Sequence, residues 1–337
     1  MLLPAARGPL TTALVAALRG DDPSAVPAPP LGVAEPLTDD DTQLALWICF
    51  ELHYRGFDDV ADGWEWEPAL ISLRRDLESG LLDAVRAAVV VPLETAPLPE
   101  RLRRLVAADD GPPLARYLQR RGTRDQFLEF VIHRSVYHLK EADPHTWGIP
   151  RLAGRAKAAL VEIQADEYGG GNAARMHAEL FRATMRGLGL DDTYGRYVDA
   201  VPAITLANNN LMSVFGLRRE LRGALAGHLA AFEMTSSAPN RRYSQGLRRL
   251  GGDAATRRFY DEHVTADALH EQLALYDLCA SLADDEPELA EDIVFGAAAA
   301  LHLGNLSAEQ MLESWRAHVS SLRDVGAAAT SPIADVS

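Results

Sequence analysis

The sequence predicts an all-α protein. Nearly every periodic segment repeats its apolar residues at helical spacing, and strand-like alternation is almost absent. Ala, Leu, Arg and Glu, which favour helices, dominate those segments. Two proline-rich stretches separate groups of helical segments, one near residues 23–36 and one with the sequence VPLETAPLPE. Together these observations predict a bundle of amphipathic helices.

The first predicted helices precede VPLETAPLPE. One is expected over residues 10–19, before the first proline-rich stretch. Residues 38–41, Thr-Asp-Asp-Asp, then predict a helix N-terminus, because their side-chain oxygens accept from backbone N–H groups and stabilise the positive helix end. The helix that follows is TQLALWICFELHYRG, and Pro68 opens ALISLRRDLESGLLDAVRAAV.

From about residue 112 longer helices are predicted. TRDQFLEFVIHRSVYHLKEAD starts at Thr123 and is expected to stop at Pro144. RLAGRAKAALVEIQADEY begins after Pro150 and runs into three glycines at 169–171, after which NAARMHAELFRATMRGLGL resumes. One long segment, TLANNNLMSVFGLRRELRGALAGHLAAFEM, precedes a helix that contains His263 and two amphipathic helices that end near residue 322.

This pattern predicts three regions: an N-terminal helical layer over residues 1–111, a larger helical domain over residues 112–325 and a disordered tail over residues 326–337. The layer contains LALWICFELHYRGF, which carries more apolar bulk than a free-standing helix should expose. We therefore expect the layer to pack on the larger domain or on a second copy of the chain, forming a homodimer. Glu51 and His53 face different directions on a helix, so they are not expected to form a pair of metal ligands.

Composition excludes several classes of protein. The chain has 337 residues, of which 33 are basic and 48 acidic, and its net charge is −15. A nucleic-acid-binding protein would carry a basic face, so that class is not expected. Cys49 and Cys279 are too few for a disulfide framework or a thiolate-rich metal site. The sequence shows neither a long apolar run nor a signal-peptide pattern, so a cytoplasmic protein without membrane contact is expected.

His263, Asp267 and His270 have the spacing H-x-x-x-D-x-x-H. On a helix, steps of four and seven residues return to within roughly 40° and 20° of the starting direction. The two imidazoles and the carboxylate therefore project from one face. This set of donors suits iron, manganese or zinc rather than calcium or magnesium. An exposed polar face would show the same spacing, so the metal site needs ligands from elsewhere in the chain.

A carboxylate-bridged metal pair in a helical bundle needs about six protein ligands from facing helices. The ferritin-like arrangement uses Glu-x-x-His, but the one histidine with an acid three residues earlier is His270, and that acid is an aspartate. The ferritin-like template therefore fails. Glu167 and His177 would lie about 80° apart on a straight helix, and the glycines between them either break that helix or form a plain loop between two helices. The stretch EIQADEYGGGNAARMHAEL offers four candidates: Glu162, Asp166, Glu167 and His177.

The stretch VIHRSVYHLKEADPHTWGIP adds His133, His138, Glu141 and His145 as candidates. Here the sequence resembles a known family, the haem-oxygenase-like diiron oxidases and oxygenases, also called iron-containing redox enzymes. YHLKEADPHTWGIPRL, EIQADEYGGG and GHLAAFEMTSS look like its actinobacterial branch, and the resemblance covers roughly residues 115–285. It implies a haem-oxygenase-like helical bundle with an N-terminal helical extension, in which residues 112–325 are the catalytic domain.

The resemblance also implies the ligands. The family carries one Glu on its first core helix, a Glu…His pair on a second and His-x-x-x-Asp-x-x-His on a third. By the same resemblance, one iron takes Glu167, His177 and His263, and the other takes the remaining three. The matching positions here are Glu141, Glu167, His177, His263, Asp267 and His270.

Two Fe(II)/Fe(III) ions as cofactors and O2 as co-substrate follow from the resemblance, because two ferrous ions can each give one electron to dioxygen. Relatives of this architecture N-oxygenate amines and guanidines, fragment amino acids or cleave C–C bonds of fatty acids. The expected function is oxidation of a small molecule, an amino-acid-like amine or carboxylate, in natural-product metabolism, and an external electron donor is compatible with it. The alternative is a non-catalytic metal- or ligand-binding helical protein that retained the fold.

Other side chains are candidates for contacts with the ligands or the substrate. Arg241 and Arg242 are suited to clamp a carboxylate through paired hydrogen bonds, although a solvated pair at a helix start has the same sequence. Glu162, five residues before Glu167, is expected to hydrogen-bond to a ligand rather than to bind metal. Three side chains flank proposed ligands and are expected to contact them or to fill the core: Tyr137, His138 and Tyr168.

Overall fold

The computed structural model describes residues 1–30, 32–91 and 94–324, and for residues 265–268 it describes the backbone alone. Within these ranges the chain is helical and forms no strand, which confirms the prediction of an all-α protein. An eight-residue π-helical segment, Leu273–Ala280, continues the twelfth helix. The helices are α1 (Pro9–Gly20), α2 (Asp40–Glu51), α3 (Pro68–Ala88), α4 (Leu98–Ala108), α5 (Leu114–Arg120), α6 (Arg124–His138), α7 (Asp143–Thr146), α8 (Gly154–Glu167), α9 (His177–Gly187), α10 (Ala203–Leu217), α11 (Arg222–Arg249), α12 (Ala254–Gln272), α13 (Ser281–Asp285) and α14 (Ala290–Arg316).

The N-terminal layer packs on the bundle. Helix α2 begins where the acidic cap predicts, since Asp39 accepts from the Thr42 N–H at 2.7 Å. Almost every residue of α2 is buried, because the helix contacts α1, α3 and α10. Trp47 belongs to the same apolar core as Phe127 of α6. Asn210 of α10 donates to the backbone and side-chain oxygens of Gln43 at 2.9 and 2.8 Å, so this asparagine fastens the layer to the bundle.

Helix α11 is the centre of the bundle and packs against α12, α14 and α5. The long helical segment predicted over TLANNNLMSVFGLRRELRGALAGHLAAFEM is in fact two helices, α10 and α11. Arg218 ends α10 because its backbone is extended, with φ −99° and ψ 113°. Its guanidinium reaches Glu78 of α3 at 3.2 Å, which links this corner of the bundle to the N-terminal layer.

Helix α6 ends at His138, several residues before Pro144, where the sequence predicted its end. A turn over residues 139–142 follows, and Ala142 has a left-handed backbone with φ +73°. Pro144 then occupies the first turn of the short helix α7. Glu141, expected on the helix, therefore lies in the turn that follows it.

The two cysteines are buried and unbridged. Burial raises the pKa of the Cys49 thiol to about 12 and also raises the pKa of Cys279. Both behave as small apolar side chains, as expected for cysteines without a partner. Among the described residues, every helix is too short or too polar to cross a bilayer.

Candidate metal centre

Four predicted ligands converge in the core of the bundle. Glu141 comes from the turn after α6, Glu167 from the end of α8, His177 from the start of α9 and His263 from the middle of α12. All four side chains are buried, and one donor atom from each lies within 4.8 Å of the others. Four carboxylate or imidazole donors at such spacing can surround a single metal ion.

The three glycines bring Glu167 and His177 together by separating two helices. Gly169, Gly170 and Gly171 all have positive φ values, between +59° and +82°, which residues other than glycine rarely adopt. Glycine is also required by space at position 169, where a Cβ would lie 2.7 Å from the Arg175 carbonyl carbon. The chain therefore reverses, and Glu167 Oε2 lies 2.7 Å from His177 Nδ1. The sequence left two possibilities for the glycines, a broken helix or a plain loop, and the structure shows a loop between α8 and α9.

A second group of donors adjoins the first and shares Glu167 with it. It consists of Glu167, Glu233 and His270, all buried, with donor atoms within 4.8 Å of one another. His270 Nδ1 lies 3.4 Å from Glu233 Oε2 and 3.9 Å from Glu167 Oε1. Glu233, on α11, was not among the predicted ligands. It lies on the same helical face as the buried residues Ala226, Leu229 and Ala230, and an acid on an apolar face is a signal that the sequence contains.

Asp267 lies outside the residues whose side chains the structure describes, so its role as a ligand stays a prediction. The grouping of the other ligands differs from the one implied by the resemblance. Glu141 joins Glu167, His177 and His263, whereas that partition placed Glu141 with His270. The turn after α6 carries Glu141 towards α12 near His263, because the helix stops before this residue.

Hydrogen bonds orient the two histidines of α12. His263 Nδ1–H donates to the Phe259 carbonyl at 2.8 Å, which directs Nε2 towards Glu141 Oε1, 3.7 Å away. His270 Nε2–H donates to Asp166 Oδ2 at 3.0 Å, which directs Nδ1 towards Glu167 and Glu233. Metal-binding histidines commonly donate their second ring N–H to a carbonyl or a carboxylate in this way.

The site fits a cation. Three buried atoms of the two donor groups have no hydrogen-bond partner among the described residues: Glu141 Oε2, His177 Nδ1 and His270 Nδ1. Glu167 Oε2 is close to His177 Nδ1, but its direction is not that of a hydrogen bond. Glu141, Glu167 and Glu233 also place three carboxylates in the core, a costly arrangement unless positive charge compensates them. Iron suits such a mixture of imidazole and carboxylate donors.

The carboxylates and histidines shift each other's pKa. Although burial lowers the pKa of His270, the neighbouring carboxylates of Glu233, Glu167 and Asp166 raise it to about 9. Burial raises the pKa of Glu141. The neighbouring His138 and His263 lower it by a larger amount, so the pKa of this carboxyl lies well below its usual range. The cluster therefore holds an ionised Glu141 carboxylate and a protonated His270 imidazole, and a metal ion would displace the imidazole proton on binding.

Two of the predicted neighbours lie at the centre. His138 Nδ1–H donates to Glu141 Oε1 at 2.8 Å. The pKa of Tyr137 is raised by burial and by the carboxylates of Glu141 and Glu167, so its phenol stays protonated. Tyr168 instead donates to Asp143 Oδ1 of α7 at 2.8 Å, and Asp143 is not one of the proposed ligands.

The expectation for Glu162 is wrong. Its side chain is exposed, because five residues before Glu167 correspond to about 140° around the helix. Asp166 is the acid of α8 that bonds to a ligand. Arg241 and Arg242 are exposed within the interior of α11 rather than at a helix start, and their role as a carboxylate clamp stays a prediction.

Comparison with known proteins follows the same segments. The sequence profile of the family described as iron-containing redox enzymes matches residues 128–305, which contain every ligand candidate named above. A nitrosourea synthase from Streptomyces achromogenes subsp. streptozoticus is 29% identical over 136 residues, which cover 40% of this chain. The matched region covers 29% of that protein, so this chain spans under a third of the length of that relative.

Proposed function

Because this chain belongs to the iron-containing redox enzyme family, we propose that it is a non-haem diiron enzyme that uses O2 to oxidise a small molecule in natural-product biosynthesis. One observation carries the proposal. Two buried groups of donors lie side by side and share Glu167, which is the arrangement expected when one carboxylate bridges two metal ions. A single structural ion held by the first group would not explain why Glu233 and His270 are buried beside Glu167.

Seven side chains would hold the ions. Glu141, His177 and His263 would bind the first ion, Glu233 and His270 the second, and Glu167 both. Asp267, three residues before His270 on α12, completes the set proposed for the second ion. Two ferrous ions bound in this way supply electrons for the reduction of dioxygen.

The surrounding aromatic rings exclude water from the donors. Phe259 lies against His263, His138 and His177, with ring centroids 4.4, 4.9 and 6.4 Å apart. Phe181 also lies against His138, with ring centroids 4.8 Å apart, and packs on Phe259 at 5.0 Å. Exclusion of water strengthens the electrostatic interactions within the centre and protects reactive species from side reactions. The Tyr137 phenol, which keeps its proton, can donate a hydrogen bond beside the carboxylates.

For the substrate we propose an amino-acid-like amine or carboxylate, oxidised by N-oxygenation or by cleavage of a C–C or C–N bond. The name of the nitrosourea synthase denotes a product rich in nitrogen, which supports a nitrogen-containing substrate for this chain. Mass spectrometry of metabolites that copurify with the protein, followed by oxygen-consumption assays on amino acids, amines and fatty acids, tests this assignment. Oxygen consumption with fatty acids alone would contradict it.

Anaerobic loading with ferrous iron tests the centre itself. We expect about two irons per chain, and oxygen should then produce a transient visible absorption band. Because Glu167 belongs to both groups, Glu167→Ala should lower iron binding at both positions, whereas Glu233→Ala should lower it at one. Stoichiometric zinc without reactivity towards oxygen would contradict the proposal and favour a non-catalytic metal-binding protein.

A further inference from the structure

A buried ion pair joins the N-terminal layer to the turn that carries Glu141. Lys140 Nζ lies 2.9 Å from Glu51 Oε2, and the two side chains are 1% and 0% exposed. Tyr194 donates to the other oxygen of Glu51 at 2.7 Å. The ring centroid of Tyr54, also in the layer, lies 4.2 Å from the Lys140 ammonium. Both charges are therefore fully enclosed and fully partnered.

The turn over residues 139–142 has an unfavourable backbone that its surroundings must maintain. Ala142 has φ +73° and ψ −29°, a region that costs energy for any residue with a Cβ. Its carbonyl accepts from Gln164 Nε2 of α8 at 2.7 Å. On the opposite side, Arg55 of the N-terminal layer donates to the Leu139 carbonyl at 3.3 Å. The turn is thus held from both sides, by the layer and by α8.

Lys140 and Glu141 are adjacent, and they point to different partners. Lys140 reaches into the layer to Glu51, while Glu141 reaches His138 and lies near His263. A buried ammonium cannot leave its carboxylate without a large cost, so the backbone at Lys140 has little freedom to rotate. That restriction carries over to Glu141, which has no helix to hold it in place.

We propose that Glu51 and Lys140 are positioning residues for the metal centre, and that through them the N-terminal layer aims the Glu141 carboxylate at His177 and His263. This role rests on the proposed diiron centre. Among the described residues the layer supplies no ligand, but it fixes Glu141, a ligand that lies on a turn. Truncating or loosening the layer therefore loosens the first metal position before it affects the second.

Cobalt(II) titration of the full-length, metal-free chain under anaerobic conditions tests the proposal, with visible absorption reporting the number of bound ions and their coordination. Glu51→Gln should weaken binding at the position that contains Glu141 by about 10- to 100-fold, the effect typical of residues that orient a metal ligand. Binding at the other position should change little. Lys140→Met should give the same pattern.

Glu78→Gln is the matched control. Glu78 is also a buried carboxylate of the layer, paired with Arg74 at 3.0 Å and with Arg218 of the bundle at 3.2 Å. Among the described residues, Glu78 forms no ion pair or hydrogen bond with the turn over residues 139–142. We expect this variant to lower the unfolding midpoint while cobalt binding stays as in the wild-type protein.

Two results would overturn the positioning role: wild-type cobalt binding by Glu51→Gln, or an equal loss of binding in Glu78→Gln. If Glu51→Gln does not fold, Tyr194→Phe replaces it, because this variant removes one hydrogen bond to Glu51 and keeps both charges. Cobalt binding at the first position that is weaker by up to about fivefold supports the role. Unchanged binding contradicts it. A wild-type protein that binds no cobalt would instead reject the proposed metal centre itself.

Discussion

Hydrogen bonds orient His263 and His270, because each bond uses one ring N–H and leaves the other ring nitrogen facing the centre. Phe259 accepts from His263 and Asp166 accepts from His270, so the opposite nitrogens are directed at the carboxylates. These two contacts use a backbone carbonyl and a partly exposed acid, neither of which binds metal in the proposed centre. The orientation of the donors is therefore built into the protein before any ion arrives.

Asp166 and Glu162 provide a matched test on one helix. Asp166→Ala removes the acceptor of His270 Nε2–H, and we expect the affinity for ferrous or cobaltous ion at the second position to fall by about 10- to 100-fold. Glu162→Ala, on the exposed side of α8, should leave metal binding unchanged. Titration of both variants, with circular dichroism to confirm folding, checks the expectation. Equal affinities in the two variants would show that the contact does not matter.

Removing ligands should abolish turnover without unfolding the chain. For His263→Ala and Asp267→Ala we expect no oxygen-dependent turnover and an unchanged helical circular dichroism spectrum, because water can fill the polar space that is left. A complete loss of helical signal would indicate a structural metal instead of a catalytic one.

Buried neutral histidines should make the protein sensitive to acid. His133 lies between Thr205 and Ser321, at 2.7 and 3.1 Å, and burial lowers its pKa to about 4. The unfolded chain takes up this proton near pH 6.5, so the free energy of unfolding falls as the pH drops from about 6.5 to 4, by about 3 kcal/mol for this group. His133→Gln should show a shallower loss in chemical denaturation at several pH values. An identical pH profile would rule out this residue as the source.

At the scale of elements, the loop between α8 and α9 decides how the first ligand group assembles. Its glycines reverse the chain within a few residues and leave Glu167 at one helix end and His177 at the next helix start. The loop carries no ligand, but its backbone conformation brings the two ligands together.

Variants of Gly169 and Gly170 distinguish the effect of a positive φ from the effect of a steric clash in this loop. Both have positive φ, but an added Cβ meets backbone atoms only at Gly169. We expect Gly170→Ala to reduce the free energy of unfolding by about 1 kcal/mol, the cost of a left-handed alanine. Gly169→Ala should cost at least about 2 kcal/mol and also weaken metal binding, since the clash displaces Met176 beside His177. Denaturant unfolding measures the loss of unfolding free energy in both variants, and equal losses would contradict the expectation.

For the whole molecule, the N-terminal layer and the bundle share one apolar core, in which Leu14 and Trp47 pack with Leu206 and Phe127. The layer and the bundle are therefore not separated by solvent at these contacts, and the boundary near residue 111 stays a prediction. The layer should be needed for the stability of the bundle.

A chain that begins near Gly111 tests this dependence. Removing the layer exposes the apolar face of α10, so we expect an insoluble or aggregated product, or loss of the predicted homodimer. Sedimentation of the soluble fraction, compared with the full-length chain, measures the effect. A soluble, active monomer would show that the layer is dispensable.

The periodicity of the sequence predicted the helical class, and the spacing H-x-x-x-D-x-x-H pointed to His263 and His270. The resemblance to the family implied Glu141, Glu167 and His177 as further ligands, and the structure brings all five together. Glu233 was missed because its partners, Glu167 and His270, come from other helices and no spacing connects them to it. The turn at Glu141 was missed for a related reason, since Lys140 is drawn towards Glu51 by a contact between regions 89 residues apart in the sequence. Long-range contacts, not local propensity, decided both.

The burial of Cys49 and Cys279 has a consequence for durability. In the proposed oxygen-dependent reaction, stray peroxide would reach the protein's own side chains, and thiolates react with peroxide much faster than thiols. With raised pKa values and no solvent contact, both sulfurs remain protonated and out of reach of the oxidant. Under the proposed function, peroxide would therefore oxidise other side chains before it oxidised these two thiols.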